Sequence, residues 1–246
     1  MNSKNHCLEI WGDLACFTRP EMKVERYSYP IITPSAARGI FDAIYFKPAY
    51  DFFWQIEKIE LLKPPRYIAL RRNEVKDKAP SERTISQWMQ GSKPAEPLWA
   101  DGTKELFGGS DQKGRTQRQT MALKDVHYRI YAHMESRRPE QDMTAFDSQF
   151  ERRASNGKCF YQPYLGCREF PAWFELMNDS GHAIAPIPFD LDLGWMLYDV
   201  FDLSRQNDAN ANAAISVFHA FVQRGVLNIP PYNSDDVRKP EGAHAS

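Results

Sequence analysis

Residues 119–134 (QTMALKDVHYRIYAHM) constrain the fold more than any other stretch of this chain. Even positions run Ala122, Lys124, Val126, Tyr128, Ile130, Ala132 and Met134. Odd positions beyond Leu123 run Asp125, His127, Arg129, Tyr131 and His133. Alternation of this length is a strand period, with the even residues facing a core. A chain that must cover one face of so long a strand needs partner strands and a packed layer. The composition can supply them: of 246 residues, 42% are hydrophobic and 13% aromatic, the mark of a globular chain. No run approaches the ~18 apolar residues of a membrane span, and the first residues have no secretory pattern. A cytoplasmic protein with no membrane partner is expected.

The clearest helix signal lies upstream. Thr33 suits an N-cap and Pro34 the first helical position. Ala37, Ile40, Phe41 and Ile44 follow at helical spacing, and Pro48 stops the run, which predicts a helix over 34–46. Residues 6–17, 52–62 and 66–72 read as strands, 81–90 as a short helix, 91–119 as a long irregular loop and 139–154 as helical. Residues 158–177 read as two strands around Gly166, and 193–203 with 214–229 as a late β-pair. The order β, α, β, β, loop, β, α, β predicts an α+β fold. Its first part matches the split β-α-β unit of a ferredoxin-like, RNA-recognition-motif-like domain. The expected division is 1–136 for that domain, completed by part of 139–178, then 179–229 as a small C-terminal antiparallel β-sheet, then 230–246 as a disordered tail.

Net charge is −1, yet the charges are segregated. Residues 112–138 carry seven Lys and Arg against two Asp and Glu, whereas 186–210 carry five Asp and one Arg. The basic stretch fits either a phosphate track or an ordinary solvated face. Within it, the glycines of 106–110 lead to Arg115 and Arg118, two cations three residues apart that can grip phosphate. Lys124 sits on the apolar parity of the strand. It is either desolvated and primed to stabilise an anion, or it snorkels at a strand end. Tyr45 ends the first helix on its apolar stripe and needs a partner group before a functional reading applies.

The four cysteines form no C-x-x-C pair, and no metal-ligand spacing, P-loop, Rossmann or nucleophile-elbow motif is present. Neither a cofactor nor a metal is expected.

Three blocks together are familiar. They are Pro34-Ser35-Ala36-Ala37-Arg38-Gly39-Ile40 with Ala43-Ile44-Tyr45-Phe46-Lys47-Pro48, Arg115-Thr116-Gln117-Arg118-Gln119 leading into Ala122-Leu123-Lys124-Asp125-Val126-His127-Tyr128, and Tyr164-Leu165-Gly166-Cys167-Arg168-Glu169-Phe170. In that order, over roughly residues 8–230, they resemble the subtype I-C form of the CRISPR-associated Cas five proteins. The resemblance implies a ferredoxin-like domain and a smaller C-terminal sheet. It implies metal-independent cleavage of precursor CRISPR RNA beside the repeat stem-loop. It also implies that the protein stays bound to the 5′ handle as a subunit of the interference complex, among the other subunits. Other branches of the wider family keep only an RNA-binding assembly role.

The family's catalytic tyrosine matches Tyr45 and its lysine matches Lys124. Its histidine is replaced by Asp125, which leaves His127 as the nearest imidazole. On regular β-geometry Lys124 and His127 face opposite sides, so a shared site requires a bulge or twist. Arg38, Lys47, Arg115, Arg118 and Arg168 are the expected RNA contacts. Tyr45 and Lys124 are expected within ~10 Å, one phosphate group's reach.

Overall fold

The structure, a computed structural model, describes residues 3–47, 52–75, 78–96, 115–138, 141–177, 184–205 and 213–240. Among these residues ten strands and three helices follow in the order β1 (His6–Ala15), β2 (Arg26–Tyr27), α1 (Pro34–Ile44), β3 (Phe52–Leu61), β4 (Tyr67–Val75), α2 (Glu82–Met89), β5 (Arg115–Ser136), α3 (Thr144–Ala154), β6 (Trp173–Met177), β7 (Leu191–Asp199), β8 (Ser216–Gln223), β9 (Val226–Asn228) and β10 (Val237–Arg238). The chain divides into two compact units, Met1–Ile68 with Met121–Ser246, and Ala69–Thr120. No helix among the described residues is long and apolar enough to cross a membrane.

The first unit is a mostly antiparallel sheet with few helices. Its strands run β10-β8-β9-β3-β5-β1-β6, with β7 on the far side of β8. Every neighbouring pair along that path is antiparallel. The long strand lies near its centre, as its two-faced pattern requires: Tyr128, Ile130, Ala132 and Met134 are buried along one face. There α1 and α3 meet over Trp54, whose ring lies 4.9 Å from Phe41 and 4.6 Å from Phe150. Helix α1 forms as its sequence dictates. Thr33 Oγ1 accepts from the Ala36 amide at 3.2 Å, Pro34 opens the first turn, and Ala37, Ile40, Phe41 and Ile44 are buried. It ends two residues earlier than expected, because Tyr45 turns extended with φ −151°.

In the second unit β4 pairs with β5, and Ser81 caps α2 by accepting from the Thr84 amide at 3.2 Å. Strand β5 begins at Arg115, inside the stretch expected to be loop. The glycines of 106–110 lie outside the described residues.

Three expectations are corrected. The C-terminal strands form no detached sheet, because β9 hydrogen-bonds β3 in the register Ile59↔Leu227. The stretch 158–177 holds one strand, β6, and only an isolated bridge, Tyr164↔Pro171, near Gly166. The tail from Pro230 is held as far as Pro240: Tyr232 is 1% exposed, and β10 pairs with β8. One aromatic and one valine anchor this segment, a signal that its Pro, Asp and Lys dilute.

Candidate functional site

Two regions collect the residues that sequence reasoning singled out. The first is the C-terminal turn of α1. Tyr45 closes the helix by donating its amide to Phe41 O at 2.8 Å, and its own carbonyl accepts from Trp54 Nε1 at 2.9 Å. Its ring stacks on Phe52 with centroids 6.1 Å apart, and only 2% of the residue is exposed. Cations surround this turn. Lys47 Nζ lies 5.9 Å from the Tyr45 ring centroid. Arg153 Nε donates to Ile44 O at 2.6 Å, a basic group at a helix C-terminus where the backbone dipole favours it. The segment after α3 runs beside the turn: the Phe160 amide donates to Ala43 O at 2.7 Å, and the exposed Lys158 precedes Phe160 by two residues. Lys158 is not among the residues singled out from the sequence. Its only local cue is Asn156-Gly157, with Gly157 at φ +62°, a helix stop that leaves the next residue at the surface.

Arg38, one turn earlier than Asp42, is not an open phosphate contact. Its guanidinium donates to Asp199 at 2.8 and 3.1 Å and to Asp42 Oδ2 at 2.6 Å, which ties α1 to β7. Burial and the nearby Asp199 push the Asp42 carboxyl up to about 6 against the opposing pull of Arg38.

The second region lies on the face of the sheet opposite the helices. Register aligns two rows across it. One row is Trp173, Trp11 and His127; the next is Glu175, Glu9, Arg129 and Glu60. His127 Nε2 lies 2.8 Å from Glu9 Oε1. With the carboxylate accepting, Nε2 is the donor. Arg129 is buried, donating to Glu60 at 2.8 Å and to Glu9 at 3.4 Å. A cleft of about 290 Å³ opens here, lined by Glu9, Trp11, Asp13, Lys63, Asp125, His127 and Glu175 among others. Asp125 adopts φ +54°, a kink that interrupts the alternation. Lys124 is consequently exposed, although Ala122 and Val126 of the same parity are buried. Asp125 itself is bound by Lys63 at 2.6 Å and by Arg66, and those hydrogen bonds and charges hold its carboxyl below the usual range.

The structure does not bring Tyr45 and Lys124 together. Phe52, under the Tyr45 ring, is the register partner of Ser136, twelve residues beyond Lys124 on β5. At ~3.3 Å per residue that is more than roughly 30 Å along the strand, even allowing for its twist. The start of β3 lies beside the end of β5 because the two strands are antiparallel. The other expected RNA contacts are dispersed. Lys47 and Arg168 are exposed, Arg118 is half-buried on β5, and the Arg115 side chain lies outside the described residues.

A family model described as CRISPR-associated protein, Cas5, of the Cas5d type, matches residues 7–229. The chain belongs to the Cas5d family. A "CRISPR pre-crRNA endoribonuclease Cas5d" of Mannheimia succiniciproducens is 42% identical over 243 residues, covering 94% of this chain and 97% of that protein. One of the same description from Thermus thermophilus is 34% identical over 251 residues, covering 97% and 96%. Two solved structures share the fold at 18% identity and TM-score 0.61, covering 97% of this chain and 98% of theirs. One is a CRISPR-associated protein and the other a functionally uncharacterized protein from Streptococcus mutans. In this family member the first-helix block ends at a buried tyrosine with Lys47 5.9 Å from its ring centroid. Among the described residues no three His, Cys, Asp or Glu side chains converge as a metal site.

Proposed function

We propose that the protein is a cytoplasmic endoribonuclease that cuts precursor CRISPR RNA at the repeat stem-loop. It then remains on the 5′ handle as a subunit of the type I-C interference complex. The near-full-length likeness to two pre-crRNA endoribonucleases supports the activity. The observation that carries the site is the last turn of α1, where Lys47 Nζ lies 5.9 Å from the centroid of the buried Tyr45 ring and the segment after α3 that bears Lys158 bonds Ala43 O through the Phe160 amide. We also read β1, α1, β3, β5, α3 and β6 as a ferredoxin-like domain; the sheet order β3-β5-β1-β6 supports this, and it draws residues 139–178 into the domain of 1–136.

The reaction uses the substrate's own 2′-hydroxyl. Its oxygen attacks the adjacent phosphorus and the bond to the 5′-oxygen breaks. One group takes the 2′ proton, another returns a proton to the leaving oxygen, and a cation holds the charge on the phosphorane. The products are a 2′,3′-cyclic phosphate and a 5′-hydroxyl, and no metal enters. In this reading Lys158 and Lys47 supply the positive charge, and Tyr45 moves a proton once RNA displaces the packing over it. Lys47, Arg115, Arg118 and Arg168 hold phosphates along the track.

A second reading places the chemistry at the cleft, because His127 is already oriented by Glu9 and Lys124 stands exposed three residues away. A non-catalytic assembly role is the alternative to both. Incubation of the purified protein with labelled repeat RNA in EDTA decides: cleavage at one position supports the enzyme, and binding without cleavage supports the assembly role. A single 2′-deoxy substitution at the cut should abolish cleavage but not binding.

A further inference from the structure

We propose that the helix-free face of the sheet carries a second RNA contact, a stacking platform for unpaired bases built from Trp11 and Trp173. It rests on reading the chain as an RNA-binding protein, but not on where cleavage occurs.

Trp11 and Trp173 are register partners on adjacent antiparallel strands, so their side chains rise side by side from one face. Trp173 is 54% exposed, on the edge strand. His127 packs against the Trp11 ring in a T-shaped pair, with centroids 6.0 Å apart and planes at 67°, which helps fix the ring.

The surroundings suit a nucleotide. Asp13 and Glu175 line the same cleft, and among the described residues neither carboxylate is hydrogen-bonded or ion-paired. Carboxylate oxygens accept from the exocyclic amines of adenine, cytosine and guanine, whereas uracil has none. Lys63 lines the cleft and Arg66 joins it through Asp125, so cations for phosphate stand beside acceptors for bases. An aromatic floor, free acceptors and a cationic edge together match single-stranded RNA better than an apolar protein surface.

The test is equilibrium binding of repeat RNA with 2-aminopurine in its unpaired positions and a 2′-deoxy nucleotide at any cut site. It reads out even if the protein cuts nothing. Trp173→Ala and Trp11→Ala should each weaken binding roughly ten- to hundredfold and relieve 2-aminopurine quenching, whereas Trp11→Phe should stay within a few-fold of wild type. Trp173→Ala removes only an exposed edge-strand ring, so it keeps the test open should Trp11→Ala fold poorly. Glu175→Ala should narrow the preference for oligo(A) or oligo(C) over oligo(U). Wild-type affinity and quenching in both Ala variants would overturn the proposal. So would intact RNA binding combined with lost co-purification of the other complex subunits, which would assign the face to a protein partner.

Discussion

The Tyr45 ring stacks on Phe52, the register partner of Ser136 at the C-terminal end of β5, whereas Lys124 stands exposed twelve residues earlier on that strand, beside the kink at Asp125. Single-turnover cleavage can tell which end reacts. With the reaction at the α1 turn, Lys158→Ala should slow it by on the order of 10²–10³ with RNA affinity largely kept. Tyr45→Phe, which keeps the ring on Phe52, should slow it as well. Lys124→Ala and His127→Ala should then stay within a few-fold of wild type; the reverse pattern would move the chemistry to the cleft.

The salt dependence of RNA binding reports the phosphate track. Lys47→Ala, Arg118→Ala and Arg168→Ala should each weaken binding and lower the slope of log K against log[salt] by about one. A slope equal to wild type in all three would place the track elsewhere.

Arg38 should behave as a strut. Asp199 is 1% exposed, and its carboxylate depends on the Arg38 fork for charge compensation. Arg38→Ala leaves that charge buried and unpaired, which should cost about 3–5 kcal/mol in a urea titration. Loss of RNA affinity with unchanged stability would restore Arg38 to the phosphate contacts.

Gly166 has φ +83°, and a Cβ there would stand 2.1 Å from the Cys16 carbonyl oxygen. Backbone cannot yield as a side-chain tip can. Gly166→Ala should destabilise by more than about 3 kcal/mol or abolish soluble expression. A variant that melts with wild-type midpoint would mean that the loop shifts at little cost.

His6 gives a pH signature. Burial lowers its pKa from the ordinary 6.5, outweighing Asp147, whose Oδ1 lies 2.7 Å from Nε2. The unfolded chain then binds the proton more readily than the folded one. This contribution to stability is therefore complete above pH 6.5 and is lost as pH falls below it. The melting temperature should fall more steeply between pH 7 and 5 in wild type than in His6→Gln, as calorimetry would record.

The sequence by itself determined the elements whose signals are local. Thr33, Pro34 and the Ala37–Ile44 stripe specify α1, and the alternation of 119–134 specifies the core of β5, because caps and side-chain periods act over a few residues. The three motif blocks carried the family in the same way. Local signals did not reach Phe52, the ring partner of Tyr45. Nothing within the segment tells which end of β5 lies beside the start of β3; antiparallel pairing across some eighty residues decides it. The same holds for Arg38, whose Asp199 partner lies on β7, and for the Trp173–Trp11–His127 row, drawn from three separated strands. The αL kink at Asp125 likewise overrode the parity that would have buried Lys124, because Lys63 and Arg66 hold the Asp125 carboxylate where a regular strand would not present it.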